Sequence, residues 1–545
     1  MIYLSTLLLS LFITISLIPV LIRLAGRLRA IDIPDARKVH EHPVPRTGGL
    51  AMAIGTFVSA FLWAKAGTFF NAYAIGAGII VLFGIIDDLK GLSYRAKFAG
   101  QLAAALVAVF YGGVMIDNLG SLVPEGVLLP PWVAMPLTVV AIVGVTNAIN
   151  LADGLDGLAG GISLLSFCCI GYLAHLEENT LIAFLSVSLI GAIFGFLRFN
   201  TYPASLFMGD TGSQFLGFSL ITMSISLTQG TTPLSPILPL VILGFPVLDT
   251  LTVMFERIAE KRSPFSPDKK HFHHRLIHLG FYHIEAVFLI YVIQAILVTS
   301  AFIFRFYSEW LLLAGYVVFS GLILGWFFTA DAMKWRLRRF DLIDRVIKGR
   351  LKVLKERGVL IIVSFKIVEY GVPLLLLVTS FLQIKVSGYL SLFAAGLTAI
   401  ILLAWFLKRE WLRGALTISL YLFIPFIIYL TSDPHDIWIS ETAERIYNLS
   451  FVVLIFFVIS TLKLTKRKRG FKATPMDFLI LFIAVIAPYV AGTYARYREL
   501  GEIAPKMLMM FFSYEVLMGE LRGSFGRLTI MTVITLLVVT VRGFI

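Results

Sequence analysis

Long runs of apolar residues occupy most of the chain, and they limit the folds that it can adopt. Apolar blocks begin near residues 2, 48, 72, 95, 129, 159, 180, 212, 235, 284 and 309, and a second series begins near 359, 387, 414, 449, 476 and 525. Because a helix needs about 20 apolar residues to cross a bilayer, we predict an all-α, polytopic membrane protein. It has about eleven transmembrane helices followed by about six more.

Composition supports the membrane assignment. The chain is 58% hydrophobic and only 14% charged, whereas about a quarter of the residues of a soluble protein are charged. Cys168 and Cys169 are adjacent within an apolar block, where they act as small apolar side chains. The first basic residue, Arg23, follows the first apolar block, which favours a retained first helix over a cleaved signal peptide.

The charged residues of the first half are concentrated in alternate loops. Arg23–Arg46, Asp87–Lys97 and Arg257–Arg275 are rich in charge, whereas Asp117–Pro131 holds little. This alternation is typical of the positive-inside rule, so we place the charged loops in the cytoplasm and the N-terminus outside. The net charge of +13 is explained in this way, and it requires no nucleic-acid partner.

A basic segment separates the two series of helices. Asp331–Arg357 carries ten Lys or Arg residues, and its apolar residues recur at helical spacing, as in a helix that lies along the membrane surface. We therefore predict two regions, residues 1–330 and residues 331–545, the second consisting of this linker and a transmembrane extension of unknown function.

Two adjacent carboxylates close the third apolar block. Asp87 and Asp88 are followed by Lys90, Arg95 and Lys97. A solvated helix end is the ordinary explanation of such a pair. Neighbouring carboxylates at a membrane boundary nevertheless repel each other unless a cation joins them, so the pair also indicates a magnesium-phosphate site.

The segment Asn147–Gly160 reads NAINLADGLDGLAG. Asn150, Asp153 and Asp156 are three residues apart, so on a continuous helix they would share one side. The glycines allow a ligand to approach the backbone closely. Because an apolar helix has no packing use for two aspartates and several glycines, this segment indicates a functional site.

The segment Asn200–Gly212 reads NTYPASLFMGDTG. Asp210 precedes the next apolar block, and we predict that its carboxylate caps that helix, which is compatible with binding a metal. Phe207 is suited to stacking on a base, and the alternative is an aromatic residue at the membrane interface.

The segment Asp268–Leu276 reads DKKHFHHRL. His271, His273, His274 and Arg275 all donate hydrogen bonds, which suits a diphosphate. Together with the aspartates on the same predicted face, they indicate magnesium-assisted phosphoryl chemistry.

These segments also match a known family. In order, the chain contains DIPDARKVHEHPVPRTGG, GIIDDLKGLSYRAKFAGQ, NAINLADGLDGLAGG, NTYPASLFMGDTGS and DKKHFHHRL. In these motifs it resembles the polyprenyl-phosphate N-acetylhexosamine-1-phosphate transferases, a superfamily that includes the phospho-N-acetylmuramoyl-pentapeptide transferase. The resemblance covers roughly residues 1–330 and leaves the C-terminal extension unexplained.

The resemblance implies roles for the acidic residues. Asp87 and Asp88 match the family's catalytic aspartate pair, with Asp87 deprotonating or positioning the lipid phosphate. Asp210 matches the Mg²⁺ ligand, and Asn150 is expected to share in metal binding and in substrate binding.

Further matches concern the substrates. Asp153 and Asp156 match catalytic positions of the central motif, with Asp156 near the uridine. Asn200 and Phe207 match positions near the uracil.

Basic residues are expected to offset the charge of the phosphates. Lys38 matches a basic residue of the family's first loop, and Arg95 and Lys97 lie beside the aspartate pair. The motif His271, His273, His274 and Arg275 matches the residues that contact the donor.

The resemblance therefore implies transfer of a sugar phosphate from a UDP-sugar to undecaprenyl phosphate, with release of UMP. The cofactor is Mg²⁺, with Mn²⁺ as an alternative, and the active site is on the cytoplasmic face of the plasma membrane. The His-Phe-His-His pattern favours UDP-N-acetylglucosamine as the donor over the pentapeptide branch. A homodimer or a downstream glycosyltransferase is the expected protein partner. A transporter or a membrane scaffold is the alternative from another class.

Overall fold

The computed structural model describes the greater part of the chain. The described residues are 2–28, 30–32, 43–64, 67–124, 126–230, 232–263, 270–336, 359–382, 386–407, 409–431, 438–464, 498–521 and 525–543. They form two compact units, Met1–Arg338 and Arg339–Ile545.

In its described residues, the first unit is helical, with one two-stranded antiparallel pairing of Ile31–Asp32 with Val44–Pro45. Its longer helices are α1 (Ile2–Leu28), α2 (Gly48–Trp63), α3 (Thr68–Lys90), α4 (Tyr94–Leu106), α5 (Pro131–Ala152), α6 (Leu158–Leu176), α7 (Thr180–Asn200) and α8 (Gly209–Thr228). They are followed by α9 (Leu238–Ile242), α10 (Gly244–Ala259), α11 (Phe272–His278), α12 (His283–Ile303) and α13 (Glu309–Ala332).

The helices confirm an all-α, polytopic membrane protein. In the described part of the chain, ten helices are long and apolar enough to cross a membrane. Such helices satisfy their own backbone hydrogen bonds, as the hydrocarbon core of a bilayer requires. All eleven apolar blocks of the first half contain a helix. The block near residue 235 differs from expectation, because it contains the short helix α9 and then α10, with Leu243 between them.

Helix α8 lies at the centre of the first unit. It packs against α2, α3, α5 and α6, and nearly all of its side chains are buried. Small residues allow this close packing, and the hydroxyl groups of Ser219, Thr222 and Thr228 are satisfied by carbonyl groups of the preceding turn. Helices in membranes associate through such small residues, because burial of apolar surface adds little there.

The second unit contains α14 (Val359–Leu382), α15 (Gly388–Leu407), α16 (Arg409–Leu430), α17 (Glu441–Leu464), α18 (Arg498–Glu520) and α19 (Gly526–Arg542). Apolar residues of these helices form its core. Arg527 donates a hydrogen bond of 2.8 Å to the Tyr370 hydroxyl and lies 3.4 Å from the Glu369 carboxylate. The helix predicted near residue 476 and most of the amphipathic segment Asp331–Arg357 lie outside the described residues.

A buried carboxylate joins α13 to two loops. Glu309 is 8% exposed and accepts hydrogen bonds from the backbone N–H and the hydroxyl of Ser121, at 2.8 and 2.6 Å, and from the Ser235 hydroxyl at 2.9 Å. The indole of Trp310 donates to the Ser121 carbonyl at 3.0 Å. This end of the first unit therefore depends on one acidic side chain.

The substitution Glu309→Ala should lower the stability of the first unit by about 3 kcal/mol, because it leaves three donors without their acceptor. The measurement is the thermal unfolding of the purified protein in detergent, where the melting temperature should fall by several degrees. The control is Asp331→Ala, an exposed acidic residue at the other end of α13. Equal melting temperatures for the two variants would contradict this role of Glu309.

Candidate active site

The carboxylate of Asp88 joins the end of α3 to the start of α8. It accepts hydrogen bonds from the backbone N–H groups of Asp210 and Thr211, at 2.9 and 3.1 Å, and from the Thr211 hydroxyl at 2.6 Å. These N–H groups belong to the first turn of a helix, where they have no partner within the helix. The prediction that Asp210 caps α8 is therefore wrong. Asp88, from another helix, provides the capping carboxylate.

A glycine makes this contact possible. Gly209, the first residue of α8, has a φ angle of +69°, which residues with a Cβ rarely adopt. A Cβ atom at this position would also lie 2.5 Å from a carboxylate oxygen of Asp88. Backbone conformation and space therefore both require glycine here.

Lys97 of α4 connects two further carboxylates. Its ammonium group forms an ion pair of 2.6 Å with Asp87 and a second, closer ion pair with Asp210. The two carboxyl groups also lie within hydrogen-bonding reach of each other. Asp87 is buried at the end of α3, and its carboxylate accepts a bond of 2.5 Å from the Leu92 N–H. Two acidic groups thus share one cation.

This arrangement fits a divalent cation in its chemistry. Among the residues that the structure describes, no three His, Cys, Asp or Glu side chains are placed to hold a metal by themselves. Mg²⁺ does not need such a cage, since it is held in many enzymes by one or two carboxylates together with substrate phosphates and water. Asp87 and Asp210 provide two carboxyl groups at one point, with a single ammonium group between them.

The central motif lies in a turn, not on one side of a continuous helix as predicted. Helix α5 ends at Ala152, and Asp153 follows as its C-cap residue. Gly157, with a φ angle of +81°, is the N-cap residue of α6. Of the three predicted residues, only Asn150 is helical, and its side-chain oxygen accepts a hydrogen bond of 2.8 Å from Ser213 of α8. The helix ends before the two aspartates, which their spacing did not indicate.

Asp156 and Asn200 form hydrogen bonds with the backbone of neighbouring segments. The Asp156 carboxylate accepts a hydrogen bond of 2.9 Å from the Ala204 N–H. The buried amide of Asn200 accepts from the Gly157 N–H at 2.9 Å and donates to the Leu206 carbonyl at 2.8 Å. The half-buried Phe207 is held through its backbone, because its N–H donates to the Pro45 carbonyl at 2.8 Å.

The His motif begins the short helix α11, and a buried aspartate holds it there. Asp249 of α10 lies 2.9 Å from Nδ1 of His271 and accepts a bond of 2.8 Å from the Phe272 N–H. Both Asp249 and His271 are buried. Sequence reasoning missed Asp249, although an acidic residue within an apolar helix is itself a sign of a functional or structural partner.

His273 faces the central motif. Its Nε2 atom lies so close to Gly154 that a Cβ there would overlap it, and His274 packs against its ring at 4.2 Å. Burial holds the pKa of His273 well below its ordinary value, so this ring is neutral at neutral pH. It offers a hydrogen bond to a ligand and no charge.

Two of the remaining predicted residues have partners outside the carboxylate cluster. Arg275 forms a close ion pair with Glu256 of α10, and Arg95 is exposed with its guanidinium 3.0 Å from the Tyr94 hydroxyl. Lys38 lies outside the described residues. Arg46, which was not predicted, forms a close ion pair with Asp32, and its positive charge acts on both Asp88 and Asp153.

Asp153 is the residue whose ionisation the surroundings alter most clearly. Burial raises its pKa from 3.8 to about 8, and the neighbouring carboxylates, first that of Asp210, add to the rise. In the absence of a bound cation this carboxyl group is therefore largely protonated at neutral pH.

The fold and this site define a multi-pass membrane protein with a cluster of carboxylates, a lysine and histidines where several helix ends meet. Residues 70–228 match the model of glycosyl transferase family 4. The chain is 40% identical over 306 residues to the "probable undecaprenyl-phosphate N-acetylglucosaminyl 1-phosphate transferase" of Bacillus subtilis strain 168, covering 55% of this chain and 85% of that protein.

Two further relatives extend the match to other bacteria. The "undecaprenyl-phosphate alpha-N-acetylglucosaminyl 1-phosphate transferase" of Escherichia coli K12 is 31% identical over 62% of this chain and 91% of its own length. The "decaprenyl-phosphate N-acetylglucosaminephosphotransferase" of Mycobacterium leprae is 36% identical over 55% of this chain and 83% of its own length. The chain belongs to glycosyl transferase family 4, the family of the polyprenyl-phosphate N-acetylhexosamine-1-phosphate transferases.

The raised pKa of Asp153 generates a prediction about stability and pH. Because the folded state disfavours the charged carboxylate, the cost is absent below about pH 4 and grows as the pH rises towards about 8. In metal-free buffer, the melting temperature of the wild type should therefore fall more steeply between about pH 5 and about pH 8 than that of Asp153→Asn. Asp331→Asn is the control and should follow the wild type. Parallel profiles for all three proteins would show that Asp153 is not held in its neutral form.

Proposed function

We propose that this protein transfers N-acetylglucosamine 1-phosphate from UDP-N-acetylglucosamine to undecaprenyl phosphate and releases UMP. An oxygen of the lipid phosphate forms a bond to the β-phosphorus of the donor. The bond between that phosphorus and the oxygen shared with the α-phosphate breaks, and the electron pair leaves with UMP. The observation that carries this proposal is the 40% identity over 85% of the Bacillus subtilis relative, whose name describes this activity.

The ion-pair arrangement suits a reaction between two anions. The main difficulty is to bring the lipid phosphate close to a diphosphate, so the protein must supply positive charge and hold both groups in line. Lys97, which the structure places between Asp87 and Asp210, is suited to bind a phosphate once these carboxylates are engaged by a cation. By helping to hold that cation, Asp87 would also help to position the lipid phosphate, whose own ionisation makes the demand for a base small.

We propose Mg²⁺ as the cofactor, held by Asp210 together with Asp87 and with Asn150 nearby. When bound, the ion supplies positive charge to the phosphates of the donor. Asp88 maintains the start of α8 and so places Asp210. Neutral His273, which lies against Gly154, donates a hydrogen bond to the donor. Asn200 and Asp156 hold the loops around the position proposed for uridine.

The donor and the location follow from the relatives. The names of the three relatives specify N-acetylglucosamine, which favours this sugar over the muramoyl pentapeptide. We place the site at the cytoplasmic face of the plasma membrane, because the helix ends that form it belong to the charged loops. Turnover with UDP-N-acetylglucosamine and none with UDP-muramoyl pentapeptide is the result that distinguishes the two donors.

We also propose an accessory role for the second unit. The three relatives named above align with at most 62% of this chain, and each alignment includes at least 83% of the relative's own length. Oligomer contacts, lipid handling or docking of the next enzyme would each suit helices with basic loops on one side. The alternative is a fused neighbour with a separate activity.

The substitution Asp210→Asn should abolish transfer while preserving the fold. It removes the charge that is proposed to hold Mg²⁺. It keeps the shape of the side chain and the hydrogen bond from the backbone N–H of residue 210 to the Asp88 carboxylate. A loss of several kcal/mol of transition-state stabilisation corresponds to a fall in kcat of at least about 100-fold. The measurement is UMP release at saturating donor, acceptor and Mg²⁺, with the melting temperature recorded alongside.

The matched control is Asp117→Asn, a loop carboxylate far from the motifs in sequence and predicted to lie on the opposite side of the membrane. It should retain wild-type turnover. A turnover of Asp210→Asn close to that of the wild type would refute the metal-binding role.

A further inference from the structure

An apolar cavity lies behind the His motif, within the first unit. Its volume is about 280 Å³, and all of its lining side chains are apolar. The walls come from four helices: Phe245 of α10, Phe272 and Leu276 of α11, Ile290 of α12, and Ile323 and Phe327 of α13. Water gains nothing in such a space because it needs two or more polar partners, and a void forfeits the dispersion contacts of its walls. The cavity therefore suits hydrocarbon.

The mouth of this cavity is formed by exposed apolar residues of α13. Leu322 is 69% exposed and Trp326 is 39% exposed, and both line the cavity. They belong to a helix that is long and apolar enough to cross the membrane and that is little buried in the protein. Apolar side chains exposed along such a helix face lipid tails, so the cavity opens towards the interior of the bilayer.

Helix α11 separates the cavity from the proposed active site. Phe272 and Leu276 are four residues apart and line the cavity together, whereas His273 lies on another face, against Gly154. This helix has seven residues, too few to be stable without tertiary contacts. The Phe272 ring packs on Phe327 at 4.8 Å and on Phe245 at 5.9 Å. Material that fills the cavity would therefore support α11 from behind.

A cation lies beside the aromatic wall. The guanidinium of Arg275 is 5.9 Å from the ring centroids of both Phe272 and Phe327, and it is paired with Glu256. Its Nε donates a hydrogen bond of 2.7 Å to the Lys270 carbonyl. Because a guanidinium carries five N–H donors, an arginine at the edge of a hydrocarbon cavity still matches an amphiphile that carries a phosphate.

We propose that a phospholipid of the surrounding bilayer binds here, with one acyl chain in the cavity and its phosphate at Arg275. The bound lipid holds α11 in place and so positions His273. The effect on transfer rests on the proposed function, whereas the binding of lipid does not.

The experiment uses the full chain, delipidated in detergent and titrated with dioleoylphosphatidylglycerol. Bound lipid is counted by native mass spectrometry, and the melting temperature is recorded. Ile323→Phe fills the cavity, and Leu289→Phe fills it from α12. Val318→Phe is the control, because it adds the same ring at an exposed position of α13 that does not line the cavity.

The wild type and Val318→Phe should retain one lipid tightly, and their melting temperature should rise by about 4 °C on binding. Both filled variants should bind that lipid at least about fivefold more weakly, because the ring occupies the space of the chain. Their lipid-free melting temperatures should equal or exceed that of Val318→Phe, which excludes misfolding as the cause.

Equal lipid binding by the filled variants and Val318→Phe would overturn the proposal. Displacement of the tightly bound lipid by undecaprenyl phosphate would assign the cavity to the acceptor, and a lipid-free dimer would assign this face to a second copy of the chain. Either result would refute the proposal that a phospholipid occupies the cavity. A wild type that binds lipid in this manner but releases no UMP would refute the proposed function and leave the lipid site standing.

Discussion

The arrangement of the site depends on the Asp88 carboxylate, which accepts three hydrogen bonds from the start of α8. These bonds join α3 to α8 across more than 120 residues of sequence. They also satisfy backbone N–H groups of the first turn of α8, which have no partner within the helix. Asp87 and Asp210 are thereby brought to the same point, where their mutual repulsion is offset by Lys97. The same geometry brings two acidic side chains to one point, where a divalent cation can bind.

The bilayer explains why so many polar groups are paired. A charged or amide group that faces hydrocarbon is costly, so it is retained where another polar group satisfies it. Beneath the carboxylates, Gln101 of α4 forms hydrogen bonds with Asn147 of α5 and Gln214 of α8. These bonds connect the helices whose ends carry the site. Asp249 performs a similar task for α11, and the apolar side of that helix lies against the cavity.

The sequence predicted the membrane fold and several of the site residues, and the features that it did not predict depend on tertiary structure. Hydrophobic run lengths predicted the helical membrane fold, and Asp87 and Asp88 end a helix as their place after an apolar block indicated. Local sequence predicts that α8 is capped by a nearby residue, Asp210. The true cap, Asp88, comes from a distant helix that spacing cannot identify. Asp153 and Asp156 do not share one side of a continuous helix with Asn150, because α5 ends at Ala152. The partners of His271 and Arg275 come from α10 through tertiary packing, which sequence spacing does not reveal.

The central claim is that the protein moves a sugar together with its phosphate. The most direct measurement supplies the purified full chain with undecaprenyl phosphate, Mg²⁺ and UDP-N-acetylglucosamine labelled with ³²P at the β-phosphate. The account predicts that the label passes into the lipid fraction in equal amount to the UMP released, and that both depend on the acceptor. Label that remains in the aqueous phase as UDP would show transfer of the sugar without its phosphate and would contradict the account.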